Sequence, residues 1–271
     1  MTVFSHSLHL LLTGQQTALW LLNTLSKQRM NMPYSSHFNR LWWYGLPLAL
    51  LAAMLVFEPS RLDFALSDLF YVPGQGFIGR HNAFLEDILH DRAKQVCIAI
   101  GLLALAGFLL SLLPTPLRPL RRRLGYLVLA IGLSTGIVTP LKKTTQMHCP
   151  WSLEQYGGVE HFSPLLGPRA APVEKPGNCW PGGHAAAGFG LFALFFALRD
   201  PRPRLARAML IGACTLGIIF SISRMAQGAH FLSHNLWTAG LCWLICLALY
   251  DLMLYRPQEQ IQPEAKQPAQ A

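Results

Sequence analysis

Six apolar stretches, each close to the length of a bilayer crossing, limit this chain to a membrane-embedded helical fold. A helix needs about 20 apolar residues to cross the hydrocarbon core, and the shorter stretches reach this length by tilting or by extending into their flanks. Only 13% of the residues are charged, against about 25% in soluble domains. The sequence therefore predicts an all-α, polytopic bundle of six transmembrane helices, at residues 41–57, 95–113, 124–139, 184–198, 206–222 and 235–254.

Basic residues in the short loops predict how this bundle is oriented. Arginines cluster in loops 114–123 and 199–207, and further basic residues precede the first stretch and follow the last. Short loops rich in Lys and Arg tend to stay on the cytoplasmic side. Six crossings then fit without conflict, and the chain near residues 142, 184 and 230 falls on the opposite side.

The same loops account for the net charge of +9. Nucleic-acid binding is disfavoured, because the basic residues do not gather on one soluble face.

The first 40 residues are interpreted as a separate N-terminal segment. Polar residues interrupt the apolar run at 3–25 and no small-residue cleavage site follows it, so a cleavable signal peptide is not predicted. The run either lies along the membrane interface as an amphipathic helix or precedes a later start at Met30 or Met32. The predicted membrane domain covers 41–255, and 256–271 is expected to be a disordered cytoplasmic tail.

The segment at 58–94 is expected to be ordered on the outer side. Apolar residues recur at roughly helical spacing at 61–70 and 84–90. Both are predicted to lie on the membrane surface as interfacial helices, joined by a turn at 73–76.

Three short motifs stand at the predicted outer ends of the apolar stretches. They read Lys142-x6-Cys149-Pro150, Pro181-Gly182-Gly183-His184 and Ser223-Arg224-x5-His230. Together they supply cations that stabilise a phosphate, an imidazole to attack it and a second one to protonate the leaving oxygen. Glycine before a helix lets an anion approach the backbone N–H groups closely.

In order and spacing these motifs resemble those of the PAP2 (type-2 phosphatidic acid phosphatase) superfamily, K-x6-R-P, P-S-G-H and S-R-x5-H-x3-D. The resemblance covers roughly the C-terminal half of the chain. It implies that His230 is the nucleophile and forms a phosphohistidine, and that His184 protonates the leaving oxygen and then activates water. It also implies no metal and no cofactor, and a phosphate site built from Lys142, Gly183, Ser223 and Arg224.

Three positions depart from the family pattern. Cys149 replaces the arginine of the first motif, Gly182 replaces the serine of the second, and His234 replaces the aspartate of the third. That aspartate orients the imidazole by accepting its proton. Either His234 performs a weaker version of this role, or a carboxylate such as Glu154 or Glu160 does.

Cys149 and Cys179 are predicted to form a disulfide that joins the first two motifs, because both lie in the outer loop, an oxidising environment in bacteria. Two free thiols are the alternative. The remaining cysteines fall within apolar stretches and are interpreted as packing residues: Cys97, Cys214, Cys242 and Cys246.

These observations predict a multi-pass protein of the bacterial inner membrane, a phosphatase with its site facing the periplasm. Its substrate would be a lipid phosphate or diphosphate of the outer leaflet, such as the lipid A 1-phosphate group, undecaprenyl diphosphate, phosphatidylglycerophosphate or phosphatidic acid. Three alternatives stay open. They are a lipid phosphotransferase with the same intermediate, a metal-dependent hydrolase using His230 and His234, and a non-catalytic phospholipid binder. The metal-dependent alternative lacks the glutamate of the H-E-x-x-H signature, since Phe231 takes its place.

Overall fold

The computed structural model describes residues 39–80, 82, 85, 93–167 and 176–256. The predicted N-terminal interfacial helix, nearly all of the predicted helix at 84–90 and the predicted tail beyond Arg256 lie outside these residues.

The described part of the chain is mainly helical, as expected for an all-α fold. Its α-helices are α1 Arg40–Val56, α2 Ser60–Asp68, α3 Ala93–Leu112, α4 Arg121–Gly136, α5 Val138–Thr145, α6 Gly183–Phe189, α7 Phe192–Leu198, α8 Pro203–Ala226 and α9 Leu232–Met253. Three short 3-10 turns occupy Arg118–Leu120, Pro150–Ser152 and Glu154–Tyr156. Strands β1 Tyr71–Val72 and β2 Gly76–Phe77 form a small antiparallel hairpin, and the predicted turn at 73–76 lies at its tip.

Each of the six apolar stretches is helical, but six crossings are not established. Among the described residues, four helical segments are long and apolar enough to cross a bilayer: Lys94–Leu112, Arg118–Ser152, Pro203–Ala226 and Leu232–Met253. Helices α1 and α2 count as a fifth only if taken together, although they meet at 89°. The helical stretch Gly183–Leu198 is apolar but shorter than a full crossing.

Aromatic side chains fill the centre of the bundle. Trp43 of α1 stacks on Phe195 of α7 with ring centroids 5.8 Å apart, and Trp243 of α9 meets Phe196 edge-on at 5.1 Å. Helix α8 packs along α6 and α7, while α9 packs against α1 and α4. These contacts fix the relative positions of the helix ends, where the three motifs lie.

Close approach of α6 and α8 depends on glycine. A Cβ atom added to Gly188 would come within 2.6 Å of the Gly217 backbone nitrogen. Small residues at facing positions let two helices in a membrane approach closely, so α8 lies directly against the helix that begins at Gly183.

A second, smaller aromatic cluster covers the end of the bundle at which α2 and the hairpin lie. Phe77, Leu153, Tyr156 and Phe231 are its buried members. The Tyr156 hydroxyl donates a hydrogen bond to Asp68 Oδ1 at 2.8 Å, which ties the loop after α5 to α2. This cluster therefore holds together segments that are far apart in the sequence.

Helix α2 buries two polar residues and exposes leucines. Asp63 and Ser67 are buried, whereas Leu62 is exposed and Leu69 is 73% exposed. Because α2 meets α1 at nearly a right angle, it lies across the end of the bundle. Exposed leucines on such a helix suit contact with lipid at a membrane surface.

Candidate active site

Lys142 of the first motif points into the protein, whereas its neighbour Lys143 is exposed. The Lys142 Nζ donates a hydrogen bond to the Asn178 carbonyl oxygen at 2.9 Å. It also lies against the second motif, since a Cβ added to Gly183 would be 3.7 Å from this Nζ. The structure thus places the cation of the first motif beside the glycine of the second.

Covalent and hydrogen bonds join the first motif to the second. Cys149 and Cys179 form a disulfide, with Cα atoms 5.1 Å apart. The Cys179 N–H donates to the Met147 carbonyl at 3.0 Å, and the Thr145 hydroxyl donates to the Trp180 carbonyl at 3.1 Å. These links hold the segment before His184 against the end of α5.

Arg224 stands in the last turn of α8. Its Nη1 donates a 2.6 Å hydrogen bond to Gln227 Oε1, and its guanidinium lies over the Trp151 ring, 5.7 Å from the centroid. These contacts hold the Arg224 side chain in one position, and neither partner neutralises its positive charge. Ser223 is buried one residue earlier.

His230 lies in the short loop between α8 and α9, which backbone contacts hold in place. The Trp151 N–H donates to the Gly228 carbonyl at 2.9 Å. Gly228 has a φ of +70°, a conformation that strains any other residue, and a Cβ there would collide with the Phe77 ring. The loop is therefore fixed from both sides.

Burial and nearby motif residues shape the electrostatic environment of His230. His230 is only 3% exposed. Its pKa is lowered well below the ordinary value, first by burial and then by the neighbouring side chains of His234, Lys142, Arg224 and His184, which disfavour a positive charge on the ring. At neutral pH the imidazole is therefore uncharged and able to act as a nucleophile.

His184 stands at the beginning of α6 and lines a cavity of about 650 Å³ together with Gly183 and Lys142. The cavity runs between α3, α4 and α6, and its other walls are mostly apolar, including Ile98, Leu102, Leu105, Val128 and Ile131. The cavity thus combines Lys142 and His184 of the motifs, and further polar residues such as Lys94, with walls that are mostly apolar.

Comparisons with known proteins agree with this geometry. Residues 123–258 match the PAP2 superfamily. The chain belongs to the PAP2 superfamily. It is also 26% identical over 220 residues to a lipid A 4'-phosphatase of Francisella tularensis subsp. novicida (strain U112), a match that covers 79% of this chain and 96% of that protein. No solved structure matches.

PAP2 membership confirms the resemblance inferred from the three motifs, and the structure accounts for one departure from the family pattern. A Cβ at Gly182 would come within 2.5 Å of Asn235 Oδ1. The Gly182 carbonyl also accepts a 3.2 Å hydrogen bond from the Thr238 hydroxyl. The amide of Asn235 in the first turn of α9 thus lies where a side chain at position 182 would begin.

A second departure, His234 in place of the family aspartate, concerns the orientation of His230. The centroid of its ring lies 5.9 Å from the centroid of the His234 ring. Within the described parts of the chain, neither His230 Nδ1 nor His234 Nδ1 has a hydrogen-bond partner. Glu160 lies 3.5 Å from His148 and Glu154 lies 3.0 Å from His161. The proton-accepting contact expected from His234, Glu154 or Glu160 is therefore not formed.

The predicted metal-binding alternative also concerns His230 and His234. Over residues 39–80, 93–167 and 176–256, no group of three His, Cys, Asp or Glu side chains is arranged to hold a metal ion.

Sequence reasoning missed several residues of the site. Asp63 accepts hydrogen bonds from Ser233 at the start of α9, while Gln227 and Asn178 bind the two motif cations. Asp63 carried a usable signal, because an acidic residue in a membrane-associated segment usually has a partner and a function. Asn178 contributes only its backbone carbonyl, which no side-chain pattern reveals.

Proposed function

We propose that this protein is a membrane phosphatase that removes phosphate from a lipid through a phosphohistidine at His230. The proposal is supported by the burial of His230 and by the nearness of Lys142, Arg224 and His184, which together lower the pKa of its imidazole. Cations beside the nucleophile bind the phosphate dianion and stabilise the charge that develops on its oxygens in the transition state.

The reaction proceeds in two balanced steps. An imidazole nitrogen of His230 attacks phosphorus, the bond from phosphorus to the lipid oxygen breaks, and protonated His184 gives that oxygen its proton. His184, now neutral, accepts a proton from water as the water attacks the phosphohistidine. The phosphorus–nitrogen bond breaks, releasing phosphate and restoring both imidazoles. With a lipid diphosphate the same steps release a lipid monophosphate in the first stage.

The apolar cavity supports a lipid substrate over a soluble phosphate ester. It is lined by Lys142 and His184 and by apolar residues of α3 and α4. Leu102 lines it and is largely exposed on the bundle surface. A hydrocarbon chain lying there stays in an apolar environment while its phosphate reaches His230.

Lipid A is the lead substrate, supported by the relative that is a lipid A 4'-phosphatase. Undecaprenyl diphosphate, phosphatidylglycerophosphate and phosphatidic acid present the same phosphate chemistry next to hydrocarbon. The arginine-rich loops favour a site on the periplasmic side of the inner membrane, where lipid of the outer leaflet would enter.

The test is phosphate release from purified lipid A, undecaprenyl diphosphate, phosphatidylglycerophosphate and phosphatidic acid by the protein in detergent. Wild type is expected to release phosphate and His230→Ala to lose this activity, while His161→Ala keeps it. His161 is a matched control, because it is a histidine of the loop after α5 with a 53% exposed side chain. Full activity in folded His230→Ala would refute the proposal.

Two additions to this assay separate the alternative mechanisms. Insensitivity to chelator with inhibition by vanadate is expected for the phosphohistidine route, and the opposite pattern favours a metal-dependent hydrolase. Transfer of labelled phosphate to a second lipid, without release to water, identifies a phosphotransferase. No turnover of any substrate by folded wild type indicates a lipid-binding protein.

A further inference from the structure

A carboxylate from outside the three motifs reaches the helix that follows His230. Asp63 of α2 is only 3% exposed. Its Oδ1 accepts a hydrogen bond from the Ser233 N–H at 2.8 Å, and its Oδ2 accepts one from the Ser233 hydroxyl. A buried carboxylate needs such donors to offset the loss of water. Ser233, 170 residues further along the chain, supplies both.

This contact takes the place of a helix cap. Helix α9 begins at Leu232, and its N-cap residue, Phe231, makes no side-chain capping hydrogen bond. Ser233 is the second residue of the helix, and the N–H at that position is one that an N-cap side chain normally binds. Asp63 accepts this N–H from another helix, and its negative charge is favourable at a helix N-terminus.

The capped end of α9 is adjacent to the proposed nucleophile. His230 directly precedes the N-cap residue Phe231, whose ring packs against Phe64 with centroids 5.3 Å apart. Helix α2 therefore holds the start of α9 at two adjacent points, through Asp63 and through Phe64. Within the described residues His230 Nδ1 neither accepts nor donates a hydrogen bond. The direction of the imidazole therefore depends largely on the position of the backbone at His230.

We propose that Asp63 is a positioning residue for His230, which acts by capping α9 and fixing the backbone that presents the imidazole to the phosphate. The inference rests on the proposed nucleophilic role of His230. Asp63 acts through the backbone of Phe231 and Ser233, and so differs from the PAP2 aspartate, absent at position 234, that binds the imidazole itself.

The test compares kcat and KM for phosphate release from purified lipid A in wild type, Asp63→Ala, Asp63→Asn and Ser233→Ala. Asp63→Ala is expected to lower kcat about 100-fold, since a misplacement of about 1 Å has this effect, with KM almost unchanged. Asp63→Asn is expected to recover most of this loss, because an amide oxygen also caps helices well. Ser233→Ala removes one of the two hydrogen bonds and is expected to lower kcat several-fold, again with KM unchanged.

Asp68→Ala is the matched control, because Asp68 is an aspartate of the same helix whose partner is Tyr156. It is expected to keep the wild-type kcat. Wild-type kcat in folded Asp63→Ala would overturn the inference, and Asp63→Asn keeps it testable if Asp63→Ala does not fold. Asp63→Asn as inactive as Asp63→Ala would also overturn it, since the charge rather than the cap would then matter.

The failure of this inference and of the proposed function give different results. If phosphate release is lost in His230→Ala but unaffected in the Asp63 and Ser233 variants, only the positioning role is wrong. If His230→Ala hydrolyses lipid A like wild type, the proposed function is wrong whatever the Asp63 variants do. Should lipid A release no phosphate with wild type, the same comparison is made with phosphatidic acid.

Discussion

The Lys142 ammonium group donates a hydrogen bond to the Asn178 carbonyl oxygen, 2.9 Å away. This contact distinguishes Lys142 from the adjacent Lys143, which is exposed. A backbone carbonyl accepts the hydrogen bond without neutralising the charge, so Lys142 is held in place and keeps its positive charge for an anion.

Lys142→Met is expected to lower kcat/KM for lipid phosphate about 100-fold, the usual effect of losing one group that stabilises transition-state charge. Lys143→Met serves as the control, with a change of less than about threefold expected because an exposed charge interacts weakly with the site. Phosphate-release kinetics of both purified variants measure the difference. Equal losses in the two variants would contradict the distinction drawn from the structure.

A bulky side chain at Gly132 is expected to obstruct the lipid chain without damaging the phosphate site. Gly132 lines the cavity, and a Cβ added there meets no atom within 4 Å. Gly132→Phe should lower kcat/KM for a long-chain lipid phosphate at least about tenfold while leaving a water-soluble phosphate ester nearly unaffected, since hydrocarbon contact supplies the binding.

Gly136→Phe is the control for this change. Gly136 lies one turn further along α4, is equally open and does not line the cavity. It is expected to behave like wild type with both substrates. An equal loss with the soluble ester in Gly132→Phe would show that the cavity does not hold the chain.

Breaking the bond between Cys149 and Cys179 is expected to destabilise the protein. The disulfide closes a loop with a sequence separation of 30. Removing a disulfide that closes such a loop lowers the free energy of unfolding by about 3 kcal/mol. Thermal unfolding of Cys179→Ser should show a lower Tm, whereas Cys214→Ser, which replaces a free cysteine, should not. Alkylation of the unreduced, denatured protein should leave Cys149 and Cys179 unlabelled; label on both would contradict the pairing.

Acid is expected to destabilise the protein through His230. Burial and the neighbouring side chains lower the pKa of His230 in the folded state, whereas the unfolded chain titrates near about pH 6.5. Below this pH the unfolded state binds a proton that the folded state does not, so stability falls as the pH falls. His230→Gln should therefore show a smaller drop in Tm between about pH 7 and about pH 5 than wild type. An equal drop in Tm in wild type and His230→Gln would exclude His230 as the cause of the acid destabilisation.

The helices and the motif residues follow directly from the sequence, because both depend on local patterns. Runs of apolar side chains at membrane length mark the helices, and the spacing of Lys142, His184, Arg224 and His230 marks the phosphate site. The Gly183–Leu198 stretch is predicted as a crossing from its apolar residues, but it is shorter than a full crossing. A short apolar helix becomes a crossing only through its packing partners, which the sequence does not reveal.

Contacts between distant segments account for what the sequence did not predict. The repeat of apolar residues in α2 indicated an interfacial helix, but the identity of the partner for Asp63 depends on how α2 crosses α9. Helical spacing describes one helix at a time and contains no information on such crossings. His230 Nδ1 is a similar case, since among the described residues it has no hydrogen-bond partner and the two glutamates considered for it, Glu154 and Glu160, pair with other histidines.

The exposed leucines of α2 and of the residue that follows it connect the surrounding lipid to the position of the proposed nucleophile. Leu62 and Leu69 face outward, so water around this end of the bundle raises the free energy of the bound position of α2. The same helix carries Asp63 to Ser233. Loss of annular lipid would therefore weaken the contact of Asp63 with Ser233, and phospholipid added to the detergent-solubilised protein is expected to raise its turnover.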